Sequence, residues 1–347
     1  MRWPELLALT VAVESIAAAV LEAHFGLAGG IPWAAYYIVW FSAAFVVALI
    51  AYFIWLFRLF RAGEPKPTKA MVGRLRSIPR RNFVEMLVPV LVIPAFLASH
   101  TTFKALLPHL TAYDADPLLT LIDGAFGFQP WQLTHALLGP LGTVVLDRIY
   151  LAWFFVSTAT LFVVMFLPSL AAQKGQVLLT FVICWIVLGV GVALLVPSVG
   201  PCFYGKVYPG PDPFAPLMGK LQAIADDGHY LNALRAQAKL WGDHANDTVG
   251  FGSGLSAMPS MHISVAIITA LVLRRLGYAW LGALWVLLIW IGSVHLGWHY
   301  ASDGLVAALV TLLVWKLTAP SADLEPAEPR GSTVIRARVA AASQMSR

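Results

Sequence analysis

Long apolar runs constrain this chain more than any other feature of its sequence. A helix of about 20 residues crosses the hydrocarbon core of a membrane, and eight runs are long enough. Only 12% of the residues are charged, about half the share of a soluble domain, and the mean hydropathy is +0.76. These values exclude a soluble globular fold and a disordered chain, and the runs lack the alternation of a membrane β-barrel. We predict an all-α polytopic membrane protein with spans near residues 5–27, 33–60, 83–107, 142–168, 176–199, 259–275, 278–298 and 301–318.

The distribution of basic residues predicts the orientation in the membrane. Segment 58–81 contains eight lysines and arginines and one acid, Glu64, so the positive-inside rule makes it cytoplasmic. Alternation then places the long loops 108–141 and 200–257 on the outer side. The excess of basic residues is explained by topology and does not indicate nucleic-acid binding. Few cysteines and the shortness of the other loops favour a bacterial inner membrane, with the outer loops facing the periplasm.

Prolines and charges in the cytoplasmic segment divide the chain. The two cysteines, Cys184 and Cys202, support neither a disulfide framework nor a cysteine metal site. The predicted parts are a two-helix membrane extension over 1–60, a basic linker over 61–82, a six-helix core over 83–318 and a disordered cytoplasmic tail over 319–347.

Two polar segments interrupt the apolar pattern near the predicted outer surface. Ionisable residues at membrane depth are costly and indicate function. In the first segment, we expect Pro259 in the first turn of a helix, with Ser256 or Ser260 as its N-cap. The start of that helix offers free N–H groups to an anion, with His262 one turn inside.

The second segment contains three polar residues at helical spacing. If it is helical, His295, His299 and Asp303 share one face. Asp303 is then placed to orient His299 and to stabilise a positive charge on it. The predicted topology puts His262 and His299 at the same side of the membrane, so these two residues are expected to meet.

These two segments resemble a known pair of motifs. Pro259-Ser260-x-His262 followed by His299-x-x-x-Asp303 is similar to the second and third signature motifs of the type 2 phosphatidic acid phosphatase superfamily. The wider sequence resembles one branch, the inositol phosphorylceramide synthase (aureobasidin-resistance) family. The residues that carry this second resemblance are Thr102 to Lys104, Asp116, Asp123, Pro197 to Tyr204, and Met261.

The resemblance covers roughly residues 83–316 and implies a mechanism that uses no metal and no cofactor. His299 would attack a lipid phosphate and form a phosphohistidine, and Asp303 would hold and stabilise it. His262 would protonate the leaving alcohol and then deprotonate the incoming water or alcohol. Ser260 and nearby backbone N–H groups would hold phosphate oxygens.

The sequence departs from the superfamily pattern at its cations. The first motif, K-x6-R-P, is absent, and Ser293 stands where the third motif usually has arginine. The candidates to bind phosphate instead are Arg148 as first choice, Lys104, Lys206 and His295. The same loss is expected of the synthase-like branch. Asp116 and Asp123 are expected to cap or turn an interfacial segment.

The resemblance therefore implies an integral-membrane transferase that moves a phospho-head group from a phospholipid to a lipid alcohol at the outer leaflet. A phosphatase with the same site is the second interpretation; it would act on phosphatidic acid or a prenyl diphosphate and use water as the acceptor. The same residues are also compatible with a transporter that has a His/Asp relay, with a metal site at His295, His299 and Asp303, or with a structural polar cluster. The sequence specifies no protein partner.

Overall fold

The computed structural model describes residues 2–320, and this part of the chain folds into helices without β-strands. The predicted tail 319–347 lies, beyond residue 320, outside the described residues. The helices are α1 (Trp3–Phe25), α2 (Trp33–Arg61), α3 (Pro67–Arg76), α4 (Arg80–Leu110), α5 (Asp116–Asp123), α6 (Pro130–Leu137), α7 (Pro140–Phe166), α8 (Lys174–Ile186), α9 (Ala193–Leu195), α10 (Tyr204–Val207), α11 (Ala215–Asp226), α12 (Asn232–Ala245), α13 (Met261–Arg275), α14 (Ala279–His295) and α15 (Ala301–Leu317).

Five helical segments of the described chain are long and apolar enough to cross a membrane. They are α1, α2, α4, α7 and the segment Pro168–Leu195, which joins α8 to α9 through a π-helical turn at Val187–Val192. The remaining three predicted spans form α13, α14 and α15, with 15, 17 and 17 residues. These lengths lie at or below the lower end of the spanning range of about 17–25 residues. The all-α membrane fold is confirmed.

α13 lies at the centre of the bundle and packs against α7, α8, α14 and α15. Its residues Ile263, Val265 and Ala266 are buried, which suits a helix surrounded by others. Gly282 lets α14 approach closely, because a Cβ there would lie 2.8 Å from the Ala270 Cα of α13. Thr311 of α15 donates a 2.7 Å hydrogen bond to the Ser264 hydroxyl of α13. These two contacts hold α13 against α14 and α15.

The two segments predicted as long outer loops contain helices of their own. Segment 108–141 forms α5 and α6, and segment 200–257 forms α10, α11 and α12. Their apolar residues join the core, since Leu119, Trp131, Phe214 and Leu217 are each at most 5% exposed. These segments cover the end of the bundle at which α13 begins.

The N-terminal helices pack on the rest of the bundle. α1 lies along α4 and also contacts α8, while α2 contacts α4 and α7. Polar contacts join them to α4: His100 Nδ1 lies 3.1 Å from a Glu14 carboxylate oxygen, and the Ser99 hydroxyl donates to Ser15 at 3.0 Å. The predicted linker 61–82 contains α3.

Candidate active site

His262 lies in the first turn of α13. Ser260 is the N-cap of this helix, and its hydroxyl accepts a 3.4 Å hydrogen bond from the Ile263 N–H. The Tyr150 ring stacks on the imidazole at 4.8 Å, and the Trp153 ring lies 4.4 Å away. The Trp153 Nε1–H also donates to the His262 carbonyl at 2.9 Å. Two aromatic side chains of α7 therefore set the orientation of His262.

The helix start differs from the predicted one in a single respect. Of the two predicted caps, Ser260 is the N-cap, and α13 begins at Met261. Pro259 therefore precedes the cap and is not in the first turn, so that prediction is wrong. Pro259 lies in the turn before the helix. Ala257, two residues earlier, is held against Ser198 by a 2.9 Å backbone hydrogen bond.

His299 lies in the turn between α14 and α15. Gly297, with φ +76°, permits the turn, and the His299 N–H donates to the Ser293 carbonyl at 3.1 Å. The Nδ1 atom lies 2.8 Å from the Ala257 carbonyl oxygen and 3.3 Å from an Asp303 carboxylate oxygen. Because both neighbours are acceptors, Nδ1 carries the proton and Nε2 is unprotonated.

The two histidines meet, as the predicted topology required. His299 Nε2 lies 3.4 Å from His262 Nδ1, and the ring centres are 5.5 Å apart. The His299 ring is buried and His262 is half-buried. A reacting group bound beside them would therefore contact an unprotonated nucleophilic nitrogen and a second titratable imidazole.

Asp303 is held by the start of its own helix. It occupies the third position of α15, and its carboxylate accepts a 3.0 Å hydrogen bond from the Tyr300 N–H. Asp123 of α5 caps the same helix by accepting from Ala301 N–H at 2.6 Å and Ser302 N–H at 3.0 Å. Asp123 is thus a helix cap. The helix that it caps is α15, which positions Asp303, whereas the prediction was a cap or turn of an interfacial segment.

Asp116 organises the surrounding backbone. It is fully buried at the start of α5, and its carboxylate accepts five hydrogen bonds of 2.8–3.0 Å. Burial and the Asp116 charge raise the pKa of the Tyr208 hydroxyl, which keeps this hydroxyl protonated as a donor. The prediction of a cap or turn missed this wider role. The five donors are Ser198 Oγ–H, Val199 N–H, Gly200 N–H, Tyr208 Oη–H and Tyr300 Oη–H.

His295 does not share a face with His299, so that prediction is wrong. α14 ends at His295, and the following turn rotates the chain before α15 begins. The two ring nitrogens of His295 lie 2.9 Å from the hydroxyls of Thr134 and Thr143, and its ring stacks on His135 at 3.8 Å. His295 is therefore a packed polar residue and not a phosphate ligand.

The same geometry argues against a metal site at these residues. His295, His299 and Asp303 do not converge, because His295 is turned towards α6 and α7. In residues 2–320, no group of three or more His, Cys, Asp or Glu side chains is arranged to hold a metal ion.

Arg148 is directed away from the two histidines. It is exposed, its guanidinium donates to the Tyr230 carbonyl at 3.4 Å, and it lies 5.1 Å from the Tyr230 ring centre. Tyr150, which faces His262, is two residues further along α7, and two helical residues correspond to a rotation of about 200°. The helix therefore presents Arg148 to the opposite side, which contradicts its prediction as the first-choice phosphate ligand.

Asp147 directly precedes Arg148 in the sequence, but its hydrogen-bonding partners belong to α12. It is buried and accepts hydrogen bonds from the N–H groups of Asn232 and Ala233 at 2.9 and 2.8 Å. The carboxylate thus anchors the start of α12 and forms no ion pair with Arg148. Asp147 therefore fixes the start of α12 to α7, next to the site.

Of the predicted cations, Lys104 lies on α4, next to the segment that leads to α13, and is half-buried. Gly254 packs directly on the Lys104 backbone, since a Cβ there would lie 2.5 Å from it. Lys206 is instead exposed, with its ammonium 4.6 Å from the Trp241 ring centre.

A small pocket borders His299. Its walls include the apolar side chains of Pro130, Trp131, Phe214 and Leu217. Asp123 and Gln129 also line it, so both polar and apolar groups face this space.

Sequence reasoning missed the Ala257 carbonyl and Tyr150. A backbone acceptor has no side-chain signal, and a tyrosine in an apolar run reads as an interface anchor. The spacing of Asp147, Tyr150 and Trp153, at helical intervals on one face, was the available signal.

The fold and the site define a helical membrane protein in which two histidines and a carboxylate converge where α13 and α15 begin. A family model described as the PAP2 superfamily matches residues 118–317, more than half of the chain, and the protein belongs to that superfamily. The family comprises membrane phosphatases and phosphotransferases that act on lipid phosphates and are generally metal-independent. The match includes the two histidines and the carboxylate but begins after α4, which carries Lys104. No curated protein and no solved structure gave a significant match.

Proposed function

We propose that this protein transfers a phospho-head group from a phospholipid to a lipid alcohol through a phosphohistidine on His299, as the likeness to inositol phosphorylceramide synthases implies. The observation that carries the proposal is the 3.4 Å approach of His299 Nε2 to His262 Nδ1, with His299 Nδ1 held by two acceptors. This arrangement leaves one nitrogen unprotonated for attack and puts a proton donor beside it.

In the first step, the Nε2 lone pair of His299 attacks the phosphorus of the donor lipid. An N–P bond forms, and the P–O bond to the leaving lipid alcohol breaks. His262 gives its proton to the leaving oxygen, so that an alcohol and not an alkoxide departs. Asp303 stabilises the positive charge that develops on the His299 imidazole.

In the second step, the hydroxyl of the acceptor attacks the phosphohistidine. His262 takes the hydroxyl proton, an O–P bond forms and the N–P bond breaks. His299 regains its lone pair, and His262 is again protonated for the next turnover. Protons and electron pairs therefore balance over the cycle without a further reactant.

The negative charge of the transferring group requires stabilisation, and two features support it. Ser260 is the N-cap of α13, and the first N–H groups and the dipole of this helix favour an anion. Lys104 adds a positive charge next to the segment that leads to α13. Arg148, Lys206 and His295 have no part in this proposal, since their contacts lie elsewhere.

The likeness to inositol phosphorylceramide synthases favours a lipid alcohol as the acceptor. The small pocket beside His299 has both apolar and polar walls and does not by itself select between a lipid alcohol and water. The same chemistry with water as the acceptor would make the protein a phosphatase of phosphatidic acid or a prenyl diphosphate. The basic segment 58–81 supports a site at the outer, periplasmic side of a bacterial inner membrane.

The test uses the purified full-length protein in detergent with labelled phospholipids, with and without ceramide or diacylglycerol. Both released phosphate and newly formed phospholipid are measured. His299→Ala and His262→Ala are each expected to reduce turnover at least about 1000-fold, since nucleophile and proton carrier are lost. His229→Ala removes an exposed histidine of segment 200–257 and serves as the matched control.

The products distinguish a transferase from a phosphatase and from a transporter. New lipid that requires the acceptor and disappears in His299→Ala supports the transferase. Phosphate released regardless of acceptor identifies a phosphatase with the same site. Full activity of both histidine variants would overturn the mechanism, and a folded protein that forms neither product would favour a transporter.

A further inference from the structure

Tyr150 has a buried hydroxyl without a partner at the edge of the site. Its side chain is 8% exposed, and its ring stacks on His262 at 4.8 Å. The Tyr150 ring also packs against α14, where a Cβ added to Gly292 would lie 3.0 Å from the Tyr150 Cδ2 atom. Within residues 2–320, no atom forms a hydrogen bond with this hydroxyl. The ring is therefore fixed while its polar end is unused.

An unused buried hydroxyl is costly to keep. Burying a donor without a partner destabilises a protein by about 1–3 kcal/mol, and phenylalanine would pack the same ring without this cost. The hydroxyl is carried by the ring that stacks on His262, which puts it at the edge of the site. Such a group in a folded protein calls for a partner that binds there.

Trp298 carries a second unpartnered donor close to the site. The Trp298 Nε1–H is also buried without a partner in the described chain, and its ring lies nearly parallel to that of Tyr150, at 6.5 Å. Trp298 directly precedes His299 in the turn. Two neutral donors without partners thus lie beside the two histidines, in a chain that has Ser293 where the family usually has arginine.

We propose that the Tyr150 hydroxyl, assisted by the Trp298 N–H, donates a hydrogen bond to a non-bridging oxygen of the phosphoryl group during transfer. Neutral donors that are already desolvated stabilise charge without reorganisation, so they take over part of the work of the missing cations. This inference rests on the proposed function, because it requires a phosphoryl group at His299.

The decisive variant is Tyr150→Phe in the full-length protein in detergent. We expect kcat to fall about 100- to 1000-fold, as for the loss of one transition-state donor. The thermal midpoint is expected to stay equal or to rise, because the unpartnered hydroxyl is removed. Tyr52→Phe is the matched control: Tyr52 is exposed on α2, and its removal should change neither quantity.

A second measurement does not depend on turnover. Orthovanadate adopts the trigonal-bipyramidal geometry of a transferring phosphoryl group and is expected to raise the thermal midpoint of the wild type. Tyr150→Phe should lose most of this rise, and Trp298→Phe should lose part of it. Tyr52→Phe should keep it.

The outcomes separate this inference from the proposed function. If Tyr150→Phe keeps full kcat and the vanadate response while His299→Ala loses turnover, the inference is overturned and the proposed function stands. A lower thermal midpoint of Tyr150→Phe would make the hydroxyl structural and also overturn the inference. If the wild type turns over no lipid phosphate and does not respond to vanadate, both fail together.

Discussion

The Nδ1–H of His299 is shared between two acceptors of different kinds. The Ala257 carbonyl oxygen is nearer, at 2.8 Å, and the Asp303 oxygen lies at 3.3 Å. The neutral carbonyl is enough to fix the tautomer of the ring. The carboxylate is then left with one task that a carbonyl performs poorly, the stabilisation of a positive charge.

Asp303→Asn separates these two tasks. The amide oxygen can still accept from the Tyr300 N–H, so α15 keeps its start, but the negative charge is lost. We expect kcat to fall about 100-fold with little change in KM, because the charge matters in the transition state. Steady-state kinetics and a thermal midpoint equal to that of the wild type check this. An unchanged kcat would remove Asp303 from the mechanism.

Lys104→Met removes the predicted cation next to the segment that leads to α13 and keeps most of the side-chain stem. We expect kcat/KM for a phospholipid to fall at least about tenfold, since less positive charge faces the phosphate. Lys69→Met, at an exposed lysine of α3, is the control and should have no effect. Equal kinetics of the two variants would exclude Lys104 from phosphate binding.

At the scale of elements, the site depends on contacts between segments that are distant in sequence. Asp116 of α5 joins the backbone at Val199 and Gly200 to the hydroxyls of Tyr208 and Tyr300. Since Tyr300 follows His299, one carboxylate ties the turn that contains His299 to two outer segments. Asp123, at the other end of α5, caps α15. Both ends of this short helix therefore bind elements that surround the site.

Asp116→Ala is expected to destabilise the protein more than any surface substitution. Five donors lose their acceptor, and breaking a buried charged network typically costs about 3–5 kcal/mol. Thermal unfolding in detergent, monitored by circular dichroism, measures the effect. Asp114→Ala, two residues earlier and exposed, is the matched control. If both variants unfold at the same temperature, the network does not hold the fold together.

At the scale of the whole molecule, the N-terminal helices are joined to the bundle through polar contacts. Glu14 and His100 are 6% and 1% exposed, and the Tyr36 hydroxyl contacts that of Thr101. The same hydroxyl accepts a hydrogen bond from the Gly252 N–H, 3.2 Å away, in the segment that leads to α13. A separate extension over 1–60 stays a prediction, but α1 and α2 share buried contacts with α4.

Glu14→Ala tests whether these helices stabilise the rest of the protein. His100 would lose its one hydrogen-bonding partner in the described chain, and we expect a loss of about 1–3 kcal/mol. Glu22→Ala, at a half-exposed glutamate of the same helix, should cost little. A thermal midpoint unchanged in Glu14→Ala would show that α1 adds no stability through this pair.

The class of fold and the central residues of the site followed from local patterns. Membrane helices need long apolar runs, because no backbone group can be left unpaired in lipid, so α1, α2, α4 and α7 were visible in the sequence. His262, His299 and Asp303 stood out since ionisable groups are rare in such runs, and their spacing matched a known pair of motifs. The meeting of the two histidines followed from helix direction alone.

The three-dimensional packing decided the rest. His295 lies four residues before His299, yet the end of α14 turns it towards Thr134 and Thr143. Arg148 is close to Tyr150 in sequence, yet the helix faces it outward. One residue of helix changes the direction of a side chain by about 100°, and one turn between helices redirects everything after it. The acceptors around His299 come from α14, α15 and the segment before α13, so only their packing could bring them together.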